Sequence, residues 1–336
     1  MIRQFKIIVI GASAGGVEAL RTLVAALPTD FSAAILIVLH VGSHKSELPF
    51  LLDQAGGLPA KHAEDGEPIK PGQITIAPPD HHLVIERGRI SLTKGPRENW
   101  ARPAIDPLFR SAADVYGANI IGVILTGALN DGSAGLYQVS QAGGTTIVQD
   151  PADAINPSMP RSALAHVAVD HCLPLAGIAP LLIELVAEQS AEPARANGVS
   201  NKRPQEKDEE EEMAAEFTQN TPVAVTCPDC GGALRRRELG SLTQFACHIG
   251  HIYTAEVMMA VQFVALERFI ESAMRSLGER AELCRQMSEK TCHAHSDSTW
   301  EAAESEAHEQ AHSLSEMLTR EWIHPDGIGV IDTISP

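Results

Sequence analysis

Lys6-Ile-Ile-Val-Ile-Gly11-Ala-Ser13-Ala-Gly15-Gly16-Val17 is the stretch that decides the fold. An aliphatic run ends in a glycine-rich turn, and a helical segment from Val17 to Leu27 follows at once. Ala34-Ile-Leu-Ile-Val-Leu39 repeats the strand half of the pattern. Strands this continuously apolar are buried on both faces, and their alternation with helices implies a parallel sheet covered on each side. From Phe5 to about residue 188 the chain therefore reads as an α/β domain with a doubly wound, mostly parallel sheet. Gly72 to Ile90, with turn residues Pro78-Pro79-Asp80 and Arg87-Gly88, reads instead as short hairpin-forming strands. The pattern then predicts helix over Leu108 to Tyr116, strand over Asn119 to Thr126, helix over Ser133 to Ala142 and strand over Thr145 to Val148. A last helix, Ile178 to Glu188, closes the domain.

The 336 residues, 44% of them hydrophobic, suffice for one large domain plus a smaller module. A net charge of −17 opposes a phosphate backbone. Arg235-Arg236-Arg237 is the nearest approach to a basic patch, and it reads as a solvated hairpin, so no nucleic-acid partner is expected. No stretch reaches the roughly 20 apolar residues that span a bilayer, and the N-terminus lacks signal-peptide layout, so membrane insertion is not expected and the reading is cytoplasmic. Six cysteines including a Cys-x-x-Cys fit reduced thiols and a metal site better than a disulfide framework. Cys172, Cys284 and Cys292 read as packing residues.

Composition divides the chain further. Residues 1–190 form the α/β domain, and 191–220, with the acidic run Asp208 to Glu212, read as a disordered, solvated linker. Residues 221–253 hold a Cys/His module. Residues 254–320 read as a helical hairpin with one apolar seam at Met259, Phe263, Leu266, Ile270, Ala273 and Leu277. The returning helix would carry Ala303, Ala307, Ala311, Leu314 and Leu318, with Ser296-Asp297-Ser298 as the turn. These faces stabilise the tail or serve a homodimer or helix-mediated partner. Residues 321–336 are a tail.

Three residues far apart in sequence fall at predicted strand ends: Ser13, His40 after Ala33 to Leu39, and Asp131 in Gly127-Ala-Leu-Asn-Asp-Gly132. On open α/β sheets, chemistry gathers at the carboxyl edge of the strands. Ser13 on a tight turn would be exposed above the sheet as a nucleophile, with the backbone N–H groups of Ala14 and Gly15 available for an oxyanion. His40 could take and return its proton, and Asp131 could hold the imidazole. A Gly-rich strand-to-helix turn is also a phosphate cradle. This one, however, is not Gly-x-Gly-x-x-Gly, and the next strand leads to His40 rather than to a ribose-binding carboxylate. The order Ser, His, Asp also differs from that of α/β-hydrolases. A non-catalytic scaffold that docks partners through the same fold stays open as an alternative.

Residues 5 to about 188 resemble the catalytic domain of the chemotaxis protein-glutamate methylesterases, the CheB family. The resemblance rests on Ile10-Gly-Ala-Ser-Ala-Gly-Gly-Val-Glu-Ala-Leu20, Leu39-His40, Ala63-Glu-Asp-Gly66 and Pro71-Gly-Gln-Ile-Thr-Ile-Ala-Pro-Pro-Asp-His-His82. It extends through Arg102-Pro-Ala-Ile-Asp-Pro-Leu-Phe-Arg-Ser-Ala-Ala113 and Gly122-Val-Ile-Leu-Thr-Gly-Ala-Leu-Asn-Asp-Gly132. It implies hydrolysis of glutamate γ-methyl esters on the cytoplasmic helices of methylated chemoreceptors, in some members glutamine deamidation, and no cofactor for catalysis. It assigns nucleophile, base and orienting carboxylate to Ser13, His40 and Asp131. Ala128 and Leu129 stand where members commonly carry Met and Gly, and Ala14 where many carry Thr. The receiver domain of full-length members has no counterpart in this sequence, so control by phosphorylation in cis is not expected. Arg102 and Asp106 read as a salt-bridged or capping pair near the site, and His81 and His82 as surface or packing residues.

Cys227-Pro-Asp-Cys230 followed by Cys247-His-Ile-Gly-His251 has the spacing of a two-knuckle zinc site. Four ligands, Cys227, Cys230, Cys247 and His251, would close it, so the zinc is expected to be structural; His248 is the rival fourth ligand. Arg235 to Phe245 would supply two strands joined near Glu238-Leu-Gly240, making a ribbon.

Overall fold

The structure, a computed structural model, describes residues 5–40, 46–191, 221–290 and 297–320. The first half contains β1 (Ile7–Ala12), α1 (Gly16–Ala25), β2 (Ala34–Leu39), α2 (Leu48–Ala55), β3 (Ala60–His62), β4 (Ile74–Ile76), β5 (His82–Glu86), β6 (Arg89–Thr93) and α3 (Ile105–Tyr116). It continues through β7 (Ile120–Ile124), α4 (Ser133–Gln141), β8 (Thr145–Gln149), α5 (Ser158–His166), β9 (His171–Leu173) and α6 (Leu175–Ala191). Seven strands form one sheet in the order β3-β4-β2-β1-β7-β8-β9, and every neighbouring pair is parallel. This is the doubly wound sheet the apolar runs predict. Strand order reverses between β1 and β7, so the ends of those two strands flank the crevice where such sheets bind and react.

Alternation along β1 explains the two-sided burial. Ile8, Ile10 and Ala12 join Leu20 and Leu23 of α1 and Ile178 and Leu182 of α6 on one face. Ile7 and Val9 join Ile105, Leu108 and Phe109 of α3 on the other. Each such side chain, fully buried, contributes about 1.5–3 kcal/mol.

Gly72 to Ile90 departs from the hairpin expectation. Ile74-Thr-Ile76 is an interior parallel strand, buried throughout, between β2 and β3, and only β5 and β6 pair as a hairpin. Three residues are too few to display a parallel strand's continuous apolar signature.

Beyond residue 220, β10 (Thr221–Thr226), β11 (Ala233–Leu239), β12 (Leu242–Cys247) and β13 (Ile252–Thr254) form a four-stranded antiparallel ribbon. The ribbon belongs to the same compact unit as the sheet, which reaches Met258; a second unit begins at Met259. Helix α7 (Ala255–Lys290) crosses that boundary, and α8 (Asp297–Thr319) lies in the second unit. Of the expected turn Ser296-Asp297-Ser298, Ser296 lies outside the described residues, and Asp297 and Ser298 belong to α8. Within the second unit Ile270, Ala281, Cys284 and Ala307 are buried. The linker 192–220, Cys292 and the tail from 321 lie outside the described residues. Among the described residues no helix is long and apolar enough to cross a membrane. Arg236 pairs with Glu238, and Arg237 Nε donates to Gln244 Oε1.

Candidate active site

Strands β1 and β2 run in register with Ala12 opposite Leu39, and the His40 N–H donates to Ala12 O at 3.2 Å. Ser13 and His40 therefore leave adjacent parallel strands side by side, a spacing of about 4.8 Å. The Ser13 N–H donates to Thr126 O at 3.0 Å, so the end of β7 carries on pairing with the β1 turn. The Thr126 hydroxyl donates to Ala14 O at 2.9 Å and accepts the Asn156 N–H at 2.8 Å, clamping that turn. Gly15 caps α1 at φ 78°, the left-handed region that favours glycine. Gly127 is demanded by contact: a Cβ there would lie 2.0 Å from Met159 Sδ and 2.9 Å from Ser13 Cβ.

From the far side of the crevice, Asp131 meets His40, with Nε2 and Oδ2 2.8 Å apart. A carboxylate at Nε2 makes that nitrogen the donor and leaves Nδ1 as the basic nitrogen. Asp131 is buried and accepts four further hydrogen bonds: from Ile105 N at 2.6 Å, Asn99 Nδ2 at 2.9 Å, Gly132 N at 3.0 Å and Asp106 N at 3.3 Å. Burial alone would push its carboxyl up; the bonds from His40, Ile105 and Asn99 outweigh it and hold the group below the usual carboxylate range.

Asp106 is the opposite case. It too is buried, and it accepts from Asn99 Nδ2 at 2.9 Å and Gly135 N at 2.7 Å. Burial, reinforced by the charge of Asp131, pushes its carboxyl well above the usual range. The expected Arg102–Asp106 pair does not form. Arg102 instead grips Asp80 through Nε and Nη2, at 2.9 and 2.6 Å, and donates to Gly95 O. Arg102 precedes α3, whereas Asp106 lies in its first turn. His82 is a packing residue, as read: Nδ1 accepts the Ala104 N–H and Nε2 donates to Pro96 O, a neutral ring fixed by two partners.

Leu129 sits at φ 61°, in the left-handed region that glycine adopts most easily. Asn99, Thr126, Gly127 and Asn156 were not singled out in the sequence.

In the ribbon, Cys227, Cys230, Cys247 and His251 bring one ligand atom each to within 4.8 Å of the others. His251 Nδ1 lies 3.6 and 3.5 Å from the sulfurs of Cys227 and Cys247, and Cys230 and Cys247 sulfurs are 3.7 Å apart. A tetrahedral zinc with bonds of about 2.3 Å to sulfur and 2.0 Å to nitrogen has edges of about 3.5–3.8 Å. The donor set and its spacing fit that ion. His248 lies against Gly232 and is not in the set.

A parallel doubly wound sheet with a serine turn and a His–Asp pair at its switch point defines an α/β enzyme of the hydrolytic class. Residues 8–182 match the family described as CheB methylesterase, and the chain belongs to that family. Among relatives, a Leptospira interrogans protein that carries the provisional name protein-glutamate methylesterase/protein-glutamine glutaminase is 44% identical over 184 residues, which cover 54% of this chain and 95% of that protein. The Thermotoga maritima protein-glutamate methylesterase/protein-glutamine glutaminase is 41% identical over 187 residues, 54% of each. The crystal structure of the Thermotoga maritima CheB methylesterase catalytic domain superposes with a TM-score of 0.52 at 39% identity, covering 54% of this chain and 99% of that one. The family match stops short of the linker, the ribbon and the two long helices.

Proposed function

We propose that the chain hydrolyses glutamate γ-methyl esters on the cytoplasmic helices of chemoreceptors, releasing methanol, and deamidates glutamine at the same site. Ser13 is the nucleophile, His40 the general base and acid, and Asp131 the orienting carboxylate. The observation that supports this most is the 2.8 Å His40–Asp131 hydrogen bond beside a serine held in register on the neighbouring strand.

In the reaction, Ser13 Oγ attacks the ester carbonyl while its proton passes to His40 Nδ1. The oxyanion faces the N–H groups of Ala14 and Gly15, in the turn just before α1 begins at Gly16. Collapse breaks the bond to methoxide, which leaves as methanol with the proton from His40. Water, deprotonated by His40, then attacks the acyl-enzyme, frees the glutamate and restores Ser13. Asp131, held charged by its five donors, stabilises the imidazolium at each stage. The catalytic cycle needs no cofactor on this reading. In the ribbon, Cys227, Cys230, Cys247 and His251 would hold a zinc whose four positions are all filled by protein, a structural ion. The reading places the protein in the cytoplasm, where those thiols stay reduced.

The test is methanol release from a methylated chemoreceptor by the full chain. Ser13→Ala is expected to abolish it with little change in melting temperature. Full activity in that variant would remove Ser13 from the mechanism; no methanol release from the wild-type chain would favour the scaffold alternative.

A further inference from the structure

The ribbon reaches the candidate active site through Asn99. The Thr254 N–H, at the end of β13, donates to Asn99 Oδ1 at 3.1 Å, while Asn99 Nδ2 donates to Asp131 and Asp106. With its oxygen committed to Thr254, the amide can present only its N–H groups to the two carboxylates. A reversed amide would set its oxygen against the charged Asp131 carboxylate, acceptor against acceptor, and its NH2 against the Thr254 N–H, donor against donor. The segment carrying Asn99 is annexed to the ribbon as well. The Asn99 N–H donates to Ile252 O at 2.7 Å, the Ile252 N–H to Arg97 O at 3.4 Å, and Glu98 bridges Ile252 in parallel.

Asn99 and Trp100 both lie in the left-handed region, at φ 49° and 63°. That conformation costs about 1–2 kcal/mol at Trp100, while an asparagine tolerates it, so the loop draws on an external support to hold it. A second link runs beside the first. The Thr254 hydroxyl donates to Asn130 Oδ1 at 2.7 Å, and Asn130 Nδ2 donates to Glu256 Oε2 at 2.6 Å, fixing the residue next to Asp131. Asn99, Asn130 and Thr254 are all buried, so water cannot substitute for these bonds. The supporting strand starts at Ile252, directly after the ligand His251, whose carbonyl accepts the Cys247 N–H at 3.1 Å.

We infer that β13 is a positioning element for Asp131, acting through Asn99, so that esterase turnover depends on the ribbon being metal-loaded. This rests on the hydrolytic reading above. A ribbon this short draws its folding energy from its metal, so loss of the ion releases Ile252 to Thr254 and lets the Asn99 amide turn away from Asp131. The ribbon thereby offers a means of control for a catalytic domain to which the family match assigns no ribbon.

The experiment uses the full-length protein, stripped of zinc by a chelator under reducing conditions and then reloaded with one equivalent. Three quantities are read: kcat and KM for methanol release, bound zinc, and the downfield proton resonance of the His40 Nε2–H···Asp131 bond. Stripping is expected to lower kcat at least 10-fold, leave KM within twofold and shift or abolish the resonance, with all three restored by zinc. In Asn99→Ala, kcat is expected to be low already, and stripping to change it less than twofold. Loss of zinc with kcat and the resonance unchanged would overturn the inference. So would an undiminished effect of stripping in Asn99→Ala. Should that variant fail to fold, the resonance and kcat of the wild-type protein with and without zinc decide the matter. Ser13→Ala separates the two readings: full activity there sinks the nucleophile assignment, while the resonance still reports whether zinc reaches Asp131.

Discussion

Asp106 and Asp131 are buried carboxylates that share one donor, the Nδ2 group of Asn99, which lies 2.9 Å from an oxygen of each. Their environments separate them. Asp131 is held charged by the bond from His40 and four others, whereas Asp106 is driven toward its neutral form by burial and by its neighbour's charge. One carboxylate is kept for the imidazole, and the other closes the network behind it.

Asp131→Asn places an amide NH2 group where every partner is a donor. It should lower kcat by about 10³- to 10⁴-fold, as loss of an orienting carboxylate does elsewhere. It should also destabilise the fold by about 1–3 kcal/mol, because buried donors lose their acceptor. Methanol release and urea unfolding check the two effects; an unaltered kcat would dissociate Asp131 from catalysis.

Gly127→Ala forces a methyl group onto Met159 Sδ and Ser13 Cβ. Overpacking of this kind costs about 1–3 kcal/mol. Because one of the crowded atoms belongs to Ser13, the expected loss of kcat should exceed that of a Met159→Leu control. Equal activity in the two variants would mean that the turn moves aside freely.

His82 sets an acid limit. Burial lowers its pKa below the ordinary histidine value, with Pro96 O partly opposing. The unfolded chain therefore binds a proton that the fold resists, so stability is complete above an unfolded pKa of about 6.5 and is lost as pH falls through that value toward the folded one. The melting temperature should begin to drop as pH falls below about 6.5, and His82→Asn should flatten that slope. A slope unaltered by the substitution would place the acid sensitivity in other groups.

Cys230→Ser removes an exposed member of the four-ligand set. Bound zinc should fall from about one ion per chain to a small fraction of that, with protease cleavage appearing in residues 221–254. Wild-type zinc content in the variant would exclude Cys230 as a ligand.

Ser13 and His40 were legible as candidates because each directly follows a long aliphatic run, where a parallel sheet exposes chemistry; Asp131 lies past the end of β7, in the loop that leads into α4, and was legible as the residue that strand delivers. Asn99 was not. Its segment, Arg97-Glu-Asn-Trp-Ala101, has no periodicity, and its role arises from a left-handed turn held by a strand more than 150 positions later. The only local sign was an asparagine, a residue that tolerates that conformation. The strands β3 and β9 escape, and β4 reads as part of a hairpin, for a different reason: three residues cannot display a period. Arg102 and Asp106 are close in sequence, yet Arg102 turns to Asp80 and Asp106 joins the network behind Asp131, a choice made by distant contacts that the segment itself does not display.

The central claim is that Ser13 converges with the His40–Asp131 pair and is activated by it. Labelling by a fluorophosphonate, followed by peptide mass spectrometry, reads this directly. The wild-type protein should carry one adduct, on Ser13, and His40→Ala should label at least about 100-fold more slowly, the lower range for loss of a general base. An adduct elsewhere, or equal labelling rates in the two proteins, would contradict it.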